Sequence, residues 1–386
     1  MPLIVDTDCP YGNASDIAVS ETETTPEVSF AADPHGGPEC LWFCFRVQRT
    51  GPADQPCPQQ FRLVLKHPQN MLGASDAAAL RPVIKRPGSD WERLGPGVAE
   101  PLPDGRCNIV WETNPPEPLL EVAFCYPYGR SELDLLLAET DGYWHDDVIG
   151  VSQEARPIIR LANDYGEPDG QRPGVYLVAR QHSSETPGSW VLDGLFRYMA
   201  SLGEAAPLVW AVPLTNIDGV ENGDYGKDNF PYDLNRAWGV VPMRHETLVI
   251  RRDLLRWRER CKPMLAIDFH APGGCETYGI YCFRGQGANE SEEVRTATQE
   301  WSDIIEATLG EQYAADDFCR IATYASRWET PRFAEYCAET LAIPALSTET
   351  PYAMVGDKVL EVPDYREAGR RIGQAIVQKL QERAST

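Results

Sequence analysis

His182 and Glu185, three residues apart, are of types that can share a metal ion. They follow an apolar run at residues 174–179 that predicts a strand. They precede Thr186 and Pro187, which predict a helix through an N-cap and a proline in the first turn. Open α/β sheets place their active sites at the carboxyl ends of strands. The pair alone is a weak signal, because a surface loop can carry H-x-x-E by chance.

A second apolar run, at residues 264–269, ends in His270 and is followed by Pro272 and two glycines. A single histidine in such a place is most often a core residue, but two of the six histidines close predicted strands in this way. A catalytic zinc keeps one coordination position open and needs about three protein ligands, for which two imidazoles and one carboxylate are suited. The sequence therefore predicts one Zn²⁺ per chain, bound by His182, Glu185 and His270.

A third apolar run, at residues 342–346, leads into Ser347, Thr348 and Glu349. A carboxylate at a strand end beside a metal can take a proton from metal-bound water. Without the other motifs, Glu349 would be interpreted as an exposed glutamate at the end of a strand. Together with them, it is the predicted general base.

The segment Asp233-Leu234-Asn235-Arg236 lies between the two histidine motifs and offers groups that bind carboxylates. Arginine presents a planar fork that holds a carboxylate through two hydrogen bonds, and the Asn235 amide adds a donor. Asp233 is suited to fix the tautomer of a ligand imidazole. A surface salt bridge is the alternative interpretation of Arg236.

The pattern of the chain changes near residue 128. Between residues 40 and 124, short apolar runs alternate with breaks rich in proline and glycine, which predicts an antiparallel β-sandwich. Beyond that point, strand-like runs alternate with longer helical segments, which predicts an α/β fold. A chain of 386 residues is also long for one domain. We predict a β-sandwich domain at 1–127 and a catalytic α/β domain at 128–386, with helices opening near Ser131 and Thr186 and others at 248–258, 290–309 and 368–383.

Charge and composition narrow the possible partners. The formal net charge is −23 and the pI is about 4.7, which argues against binding to nucleic acid or to anionic membranes. The N-terminus lacks the pattern of a secretory signal, and no apolar run approaches membrane-spanning length, so we expect a cytoplasmic protein with no membrane partner. The eleven cysteines are scattered without a C-x-x-C pair, which predicts mainly reduced, buried thiols.

Five motifs together resemble the metallocarboxypeptidase superfamily of the funnelin type, within its cytosolic carboxypeptidase branch. Their order along the chain matches that branch as well as their composition. Weaker similarity extends to residues 42–47 and 124–128, where the branch carries an N-terminal β-sandwich. The motifs are A-R-Q-H-S-S-E-T-P-G-S-W at 179–190, N-I-D-G-V-E-N-G at 216–223, D-L-N-R-A-W at 233–238, I-D-F-H at 267–270 and S-T-E-T at 347–350.

The resemblance implies an α/β/α catalytic domain with a mixed central sheet. It also implies zinc-dependent removal of a C-terminal amino acid from a peptide or protein, with a preference for acidic residues in many members. Carried over by position, it assigns His182, Glu185 and His270 as zinc ligands, Glu349 as general base, Asn235 and Arg236 as the groups that bind the terminal carboxylate, and Asp233 as support for a ligand histidine.

The chain departs from the branch at one catalytic position. Where the branch has an arginine that stabilises the oxyanion, equal-length alignment places Gly226, followed by Lys227. We predict that Lys227 takes over this role as a point charge without the arginine fork. Tyr324 and Tyr352 are candidates for the tyrosine that caps the substrate in other members.

Two other functions fit parts of the sequence. Amidohydrolases of the aspartoacylase and succinylglutamate desuccinylase type use the same H-x-x-E and histidine frame on small N-acyl amino acids, but the long N-terminal sandwich favours a carboxypeptidase. An inactive, zinc-containing module that binds acidic peptide tails is the second alternative. The missing arginine favours it, whereas the presence of Glu349 with three ligands argues against it.

Overall fold

Two five-stranded sheets and one eight-stranded sheet organise this chain in a computed structural model, which describes residues 2–20, 25–50, 58–227, 232–239, 241–285, 287, 289–323 and 330–384. The N-terminal strands are β1 Leu3–Asp6, β2 Ser15–Ser20, β3 Glu27–Ala31, β4 Cys44–Arg49, β5 Phe61–Leu65, β6 Val83–Lys85, β7 Glu92–Arg93, β8 Val98–Pro101, β9 Cys107–Thr113 and β10 Leu119–Ala123. The remaining strands are β11 His145–Val151, β12 Pro157–Ala162, β13 Pro173–Ala179, β14 Leu208–Val212, β15 Lys262–His270, β16 Ile280–Arg284, β17 Ala314–Ile321, β18 Ala345–Glu349, β19 Met354–Val355 and β20 Lys358–Val359.

The helices all follow β10 in the sequence. They are α1 Arg130–Glu139, α2 Thr186–Leu202, α3 Ile217–Asn222, α4 His245–Arg258, α5 Glu292–Leu309, α6 Phe333–Glu335 and α7 Val362–Ala384. Short 3₁₀ turns occupy Pro68–Asn70, Gly203–Ala205 and Leu234–Arg236, and a π turn follows α6 at Tyr336–Thr340. None of the described helices combines the length and the apolar character needed to cross a membrane.

The two N-terminal sheets pack face to face. One has the order β1-β4-β10-β6-β7 and the other β2-β3-β5-β9-β8. Phe30 of the second sheet packs against Phe45 of the first and against Phe43, which directly precedes β4, with ring centroids 4.5 and 5.0 Å away. The pairing is antiparallel except for β3 and β5, which run parallel. The predicted N-terminal sandwich is confirmed.

The central sheet has the order β11-β12-β14-β13-β15-β18-β16-β17. Strands β14, β13, β15 and β18 run parallel to one another. Strand β12 pairs antiparallel with β14, and β16 pairs antiparallel with β18 but parallel with the edge strand β17. Buried apolar residues fill the interior strands, as expected when helices cover a parallel sheet. The prediction of an α/β fold with a mixed central sheet is confirmed.

Two predicted element boundaries are wrong. Thr186 is the first residue of α2 and not its N-cap; the N-cap position belongs to Glu185, whose side chain makes no capping bond. Its carboxylate instead lies between two imidazoles, as described below. Strand β18 begins at Ala345 and not at Ala342, because Ala342 has a φ of 55° and Pro344 has no N–H to donate to a neighbouring strand.

The predicted boundary at residues 127 and 128 lies between the end of β10 and the start of α1, and it stays a prediction. Hydrogen bonds join the N-terminal region to the loops around the central sheet. Asn13 Nδ2 donates to Gly223 O at 2.8 Å, and Gly274 N donates to Leu72 O at 2.9 Å. The N-terminal region therefore contacts the loops that carry the predicted site.

Candidate active site

Three neighbouring strands of the central sheet end at the predicted metal and base residues. The β13 strand leads into the loop at residues 180–185, and β15 and β18 end in His270 and Glu349, which are paired in register. The carboxyl ends of parallel strands meet at one edge of a sheet. The structure therefore brings together His182, Glu185, His270 and Glu349 from segments far apart in sequence.

Arg180 holds the loop that carries the first two residues. Its backbone has a φ of 63°, and its buried guanidinium donates to Ser183 O at 2.5 Å and to Tyr128 O. The backbone N–H of Ser184 donates to Tyr225 O at 3.1 Å. These bonds satisfy polar groups in a loop that is buried throughout, so the loop can keep a fixed conformation.

The side chains of His182, Glu185 and His270 converge. Glu185 Oε1 lies 2.9 Å from His182 Nδ1, and Glu185 Oε2 lies 2.7 Å from His270 Nδ1. One potential ligand atom from each residue falls within 4.8 Å of the others, and all three side chains are buried. The Nδ1 atoms therefore face the same small space as the carboxylate.

A carboxylate lies behind each imidazole. Asp233 Oδ1 is 3.2 Å from His182 Nε2, and Asp268 Oδ2 is 2.6 Å from His270 Nε2. An Nε2–H that donates to a carboxylate leaves the Nδ1 lone pair available for a metal, which is the usual arrangement of ligand histidines. Asn235 Nδ2 also lies 2.9 Å from His270 Nε2. Because an amide nitrogen only donates, the Asp268 carboxylate is the acceptor for a proton on Nε2.

The site carries an excess of negative charge. Burial opposes charge on both histidines, but the facing carboxylates outweigh it and raise the pKa of His182 and His270. Burial also opposes charge on Asp233, yet His182 lowers the pKa of that carboxyl to about 2. Carboxylates around two imidazoles favour positive charge in this space, carried either by protons on the imidazoles or by a metal ion. The donor set of two nitrogens and one carboxylate fits a metal ion, and zinc in particular prefers it.

Glu349 lies at the wall of the same space and is suited to act as a base. Burial raises the pKa of Glu349 to about 7, and Glu185 adds to this effect while His270 and Lys227 oppose it. Its Oε2 atom is buried and accepts no hydrogen bond from the described residues. A carboxylate with a raised pKa and an unused oxygen is matched to proton transfer near neutral pH.

The site opens into a cavity of about 720 Å³. The residues that line it include Asn235, Arg236, Lys227 and Glu349. Two loops from opposite parts of the chain also contribute to its lining. Gly73, from the N-terminal region, contributes to the rim. Among the described residues, the cavity is lined by Leu72, Gly73, His182, Glu185, Tyr225, Lys227, Asn235, Arg236, His270, Ala271, Pro272, Gly273, Glu276, Tyr278, Tyr281, Phe283, Arg320, Arg332, Ser347 and Glu349.

The two predicted carboxylate-binding residues differ in their surroundings. Asn235 uses both ends of its amide, because Oδ1 accepts from Phe333 N at 3.1 Å and Nδ2 faces His270. Arg236 Nη1 donates to Asn235 O at 2.9 Å, and its side chain is largely buried in the cavity wall. Arg236 therefore presents a positive charge beside the metal site, whereas Asn235 is mainly held by the protein.

The structure defines the surroundings of Gly226 and Lys227, which stand at the position of the missing arginine. Gly226 has a φ of +83°, and a Cβ there would overlap Ser183 Oγ and Ser183 N, so this backbone has no room for an arginine side chain. Lys227 lines the cavity, but its Nζ lies 3.4 Å from Glu39 Oε2 of the N-terminal region. Any role of Lys227 at an oxyanion competes with that ion pair.

Of the two tyrosines predicted as candidates for a substrate cap, Tyr324 lies outside the described residues. Tyr352 is almost completely buried, at 1% exposure, and does not line the cavity. Its main-chain oxygen accepts a hydrogen bond from Tyr365 at 2.5 Å. A buried side chain of this kind is placed for packing and not for closing over a substrate.

Sequence reasoning missed several residues of the site. Asp268 was not singled out, although strand alternation puts residues 268 and 270 on one face. Tyr225 lines the cavity with a buried hydroxyl that has no partner among the described residues. Arg320 and Arg332 reach the same cavity from β17 and from the turn before α6, and no local sequence signal marks them.

Several known proteins are similar to this chain in sequence. No family model matches the chain. The chain is 26% identical over 220 residues to cytosolic carboxypeptidase 6 of Caenorhabditis elegans, which covers 52% of this chain and 47% of that protein. It is 29% identical over 230 residues to cytosolic carboxypeptidase 6 of Homo sapiens, covering 54% and 44%. The matched segment therefore spans less than half the length of either relative.

Several proteins of known structure are similar to this chain in fold. A metallo-carboxypeptidase from Burkholderia cenocepacia superposes with a TM-score of 0.79 at 15% identity, covering 99% of this chain and 100% of that one. A metallo-carboxypeptidase from Pseudomonas aeruginosa, in complex with (2-guanidinoethylmercapto)succinic acid, superposes with a TM-score of 0.73 at 18% identity, covering 98% and 99%. The chain is thus similar in sequence to cytosolic carboxypeptidases over about half of its length, and it shares its fold with metallo-carboxypeptidases of known structure.

Proposed function

We propose that this protein is a zinc-dependent carboxypeptidase that hydrolyses the last peptide bond of a peptide or protein and releases the C-terminal amino acid. The observation that carries the proposal is the convergence of His182, Glu185 and His270 at the base of a cavity that also holds Glu349 and Arg236. The names of the sequence relatives support the same activity and a cytosolic location.

Zinc bound by this set would supply a Lewis acid for the scissile carbonyl and would lower the pKa of a bound water. Glu349 is assigned to take the proton from that water and later to donate it to the leaving amine, because its buried Oε2 has no partner among the described residues. Asp233 and Asp268 keep the two imidazoles oriented.

Arg236 is assigned to the C-terminal carboxylate of the substrate. A free carboxylate is the feature that distinguishes the last residue of a peptide, and a guanidinium binds it through two hydrogen bonds. Asn235 is assigned a supporting part, since its main-chain oxygen accepts a hydrogen bond from Arg236 and its side-chain amide lies beside the imidazole of His270. Binding at this end of the cavity sets the distance between the chain terminus and the metal.

The oxyanion that forms during hydrolysis needs donors other than the missing arginine. Lys227 is the cation at that position, and it reaches the oxyanion by giving up its ion pair with Glu39. Tyr225 is a second donor, because burial raises the pKa of its hydroxyl and keeps it protonated. Both residues line the cavity.

A preference for an acidic C-terminal residue fits the charges of the cavity. The chain as a whole is strongly negative, yet four basic side chains line this space. Arg320 stacks on the Tyr281 ring with its guanidinium carbon 3.6 Å from the centroid, and Arg332 pairs with Glu335. Arg320 is our assignment for the side-chain contact, since its long stem and planar head lie along the cavity wall.

A panel of peptides that differ only in the last residue tests the proposal. We expect release of the C-terminal amino acid, faster for Glu than for Ala or Lys, loss of activity with a chelator, and recovery on addition of Zn²⁺. Peptides with an amidated C-terminus should be poor substrates. Equal cleavage of amidated and free peptides would overturn the carboxypeptidase assignment, and an unchanged Glu preference in Arg320→Ala would overturn that side-chain contact alone.

A further inference from the structure

Cys282 and Cys319 face each other across two neighbouring strands. They are register partners in the parallel pair β16 and β17, and β17 is the edge strand of the central sheet. Neighbouring strands lie about 4.8 Å apart, which falls within the Cα separation of roughly 4.4–6.8 Å that a disulfide needs. Side chains of register partners point to the same face of a sheet, so both thiols lie on one side.

That side of the sheet is covered by α5. Cys282 Sγ lies 3.5 Å from Ser302 Oγ, and Cys319 Sγ lies 3.7 Å from Gln299 Oε1, both on that helix. Cys282 is buried and Cys319 is half-buried. One thiol of the pair is therefore reachable from solvent while its partner is protected beside it.

The environment of the two thiols differs from that of an ordinary buried cysteine. The hydrogen bond with Cys282 lowers the pKa of the Cys319 thiol to about 6, outweighing burial, and Ser302 and Arg284 act in the same direction. Burial raises the pKa of Cys282. By contrast, Cys275 is also half-buried, but burial raises the pKa of its thiol to about 11. A low pKa and partial exposure are the features of thiols that react with peroxides.

We propose that Cys282 and Cys319 form a reversible dithiol and disulfide pair that responds to peroxide. The Cys319 thiolate attacks one oxygen of hydrogen peroxide, which gives a sulfenic acid and, after proton uptake, water. The Cys282 thiol then attacks the sulfenic sulfur, forming the S–S bond and releasing a second water. Two thiols lose two electrons and two protons, and one peroxide is reduced to two waters.

The pair lies directly behind the cavity wall. Tyr281 and Phe283 flank Cys282, Arg320 follows Cys319, and strand alternation turns these three toward the cavity while the thiols face α5. A disulfide ties β16 to β17 and restricts the relative movement of the two strands behind the cavity. We therefore expect oxidation to alter KM for peptides while leaving zinc content unchanged. This consequence rests on the proposed carboxypeptidase function, whereas the disulfide itself does not.

Mass spectrometry of the full-length protein tests the pair. After treatment with hydrogen peroxide and alkylation, we expect a linked peptide pair containing Cys282 and Cys319 that disappears on reduction with dithiothreitol. In Cys282→Ser, the sulfenic acid on Cys319 should be trapped by dimedone; in Cys319→Ser, neither the link nor the adduct should form. The matched control Cys275→Ser should oxidise like wild type.

Oxidation of Cys275 at the same rate as Cys319 would overturn the proposal, as would full alkylation of both Cys282 and Cys319 after peroxide treatment. Far-ultraviolet circular dichroism checks that each variant is folded. If the linked peptide forms but the protein hydrolyses no peptide, the redox pair stands and only the proposed function fails.

Discussion

The two walls of the cavity are built in different ways. The metal wall, which comprises His182, Glu185 and His270, comes from the ends of adjacent strands and is supported by buried carboxylates. The recognition wall comes from turns, loops and an edge strand, and it comprises Lys227, Arg236, Arg320 and Arg332.

Cations of the recognition wall have acidic partners in the protein itself. Lys227 lies near Glu39, Arg320 near Asp317 and Arg332 near Glu335. The metal wall is thus organised before a ligand arrives, whereas the recognition wall must exchange internal ion pairs for contacts with the substrate. Changes in the first wall should abolish metal binding or turnover. Changes in the second should mainly alter KM, except at Lys227, whose proposed role at the oxyanion predicts an effect on kcat.

Removal of two ligands of the metal wall should have the largest effect. We expect the His182→Ala, His270→Ala double variant to lose its zinc, because one carboxylate cannot hold the ion alone. Metal analysis of protein purified without chelator should give about one zinc ion per wild-type chain and essentially none in the variant. His245→Ala, an exposed histidine at the start of α4, is the control and should retain zinc. Stoichiometric zinc in the double variant would contradict the ligand assignment.

Replacement of the base should preserve the metal wall but stop turnover. Glu349→Gln keeps the shape of the side chain and removes proton transfer, so we expect kcat to fall about 10²–10⁴-fold with zinc content unchanged. Glu276→Gln is the matched control, because Glu276 lines the same cavity and bonds to Tyr281 at 3.1 Å. An unchanged kcat in Glu349→Gln would remove this residue from the mechanism.

The pH dependence of kcat/KM should reflect the ionisation of Glu349. Burial raises the pKa of Glu349 to about 7, and a bound cation lowers it from that value. The base works only when deprotonated, so kcat/KM should rise with pH, with the midpoint of the rise at or below about pH 7. The residual activity of Glu349→Gln should lack this acidic limb. An acidic limb well above pH 7 in wild type would point to a different base.

Substitutions of Lys227 and Arg236 should separate an effect on kcat from an effect on KM within the recognition wall. Lys227→Ala should lower kcat on the order of 10²–10³-fold, because the charge it meets appears only in the transition state. Arg236→Ala should mainly raise KM, since the substrate carboxylate is present in both states. Steady-state kinetics on one peptide measures both values. If Lys227→Ala leaves kcat intact and Tyr225→Phe lowers it, the oxyanion donor is the tyrosine.

The metal wall could be predicted from sequence because its geometry follows from strand order. Apolar runs that end in His270 and Glu349 are visible in the sequence, and parallel strands bring such ends together. Asp268 could have been found in the same way, from its alternation with His270 along β15. It was missed because a single acidic residue inside an apolar run has no distinctive spacing of its own.

The recognition wall could be predicted only in part: sequence motifs point to Lys227 and Arg236, but pairings between distant segments decide where their side chains lie and add Arg320 and Arg332. The Lys227 side chain is placed by Glu39, which lies in another part of the fold. The left-handed backbone of Gly226 depends on the close approach of Ser183, 43 positions earlier in the chain. The Arg320 side chain faces the cavity only because β17 pairs with β16 at the sheet edge. None of these contacts leaves a periodic pattern in the sequence.

Substitution of Asp233 and Asp268, the two aspartates behind the imidazoles, tests whether the metal wall and the recognition wall act independently. Asp268→Asn and Asp233→Asn should each weaken zinc binding about 10–100-fold, measured by competition with a chelator of known affinity, because an amide orients the imidazole less strongly. Asp253→Asn alters another buried aspartate, which bonds to Tyr176 at 2.9 Å, and should leave zinc affinity unchanged.

Asp233 also accepts from Asn235 N at 2.8 Å and so holds the turn that carries Arg236. Asp233→Asn should therefore raise KM as well, whereas Asp268→Asn should not. Equal effects of the two variants on KM would show that the metal and recognition walls are not independent.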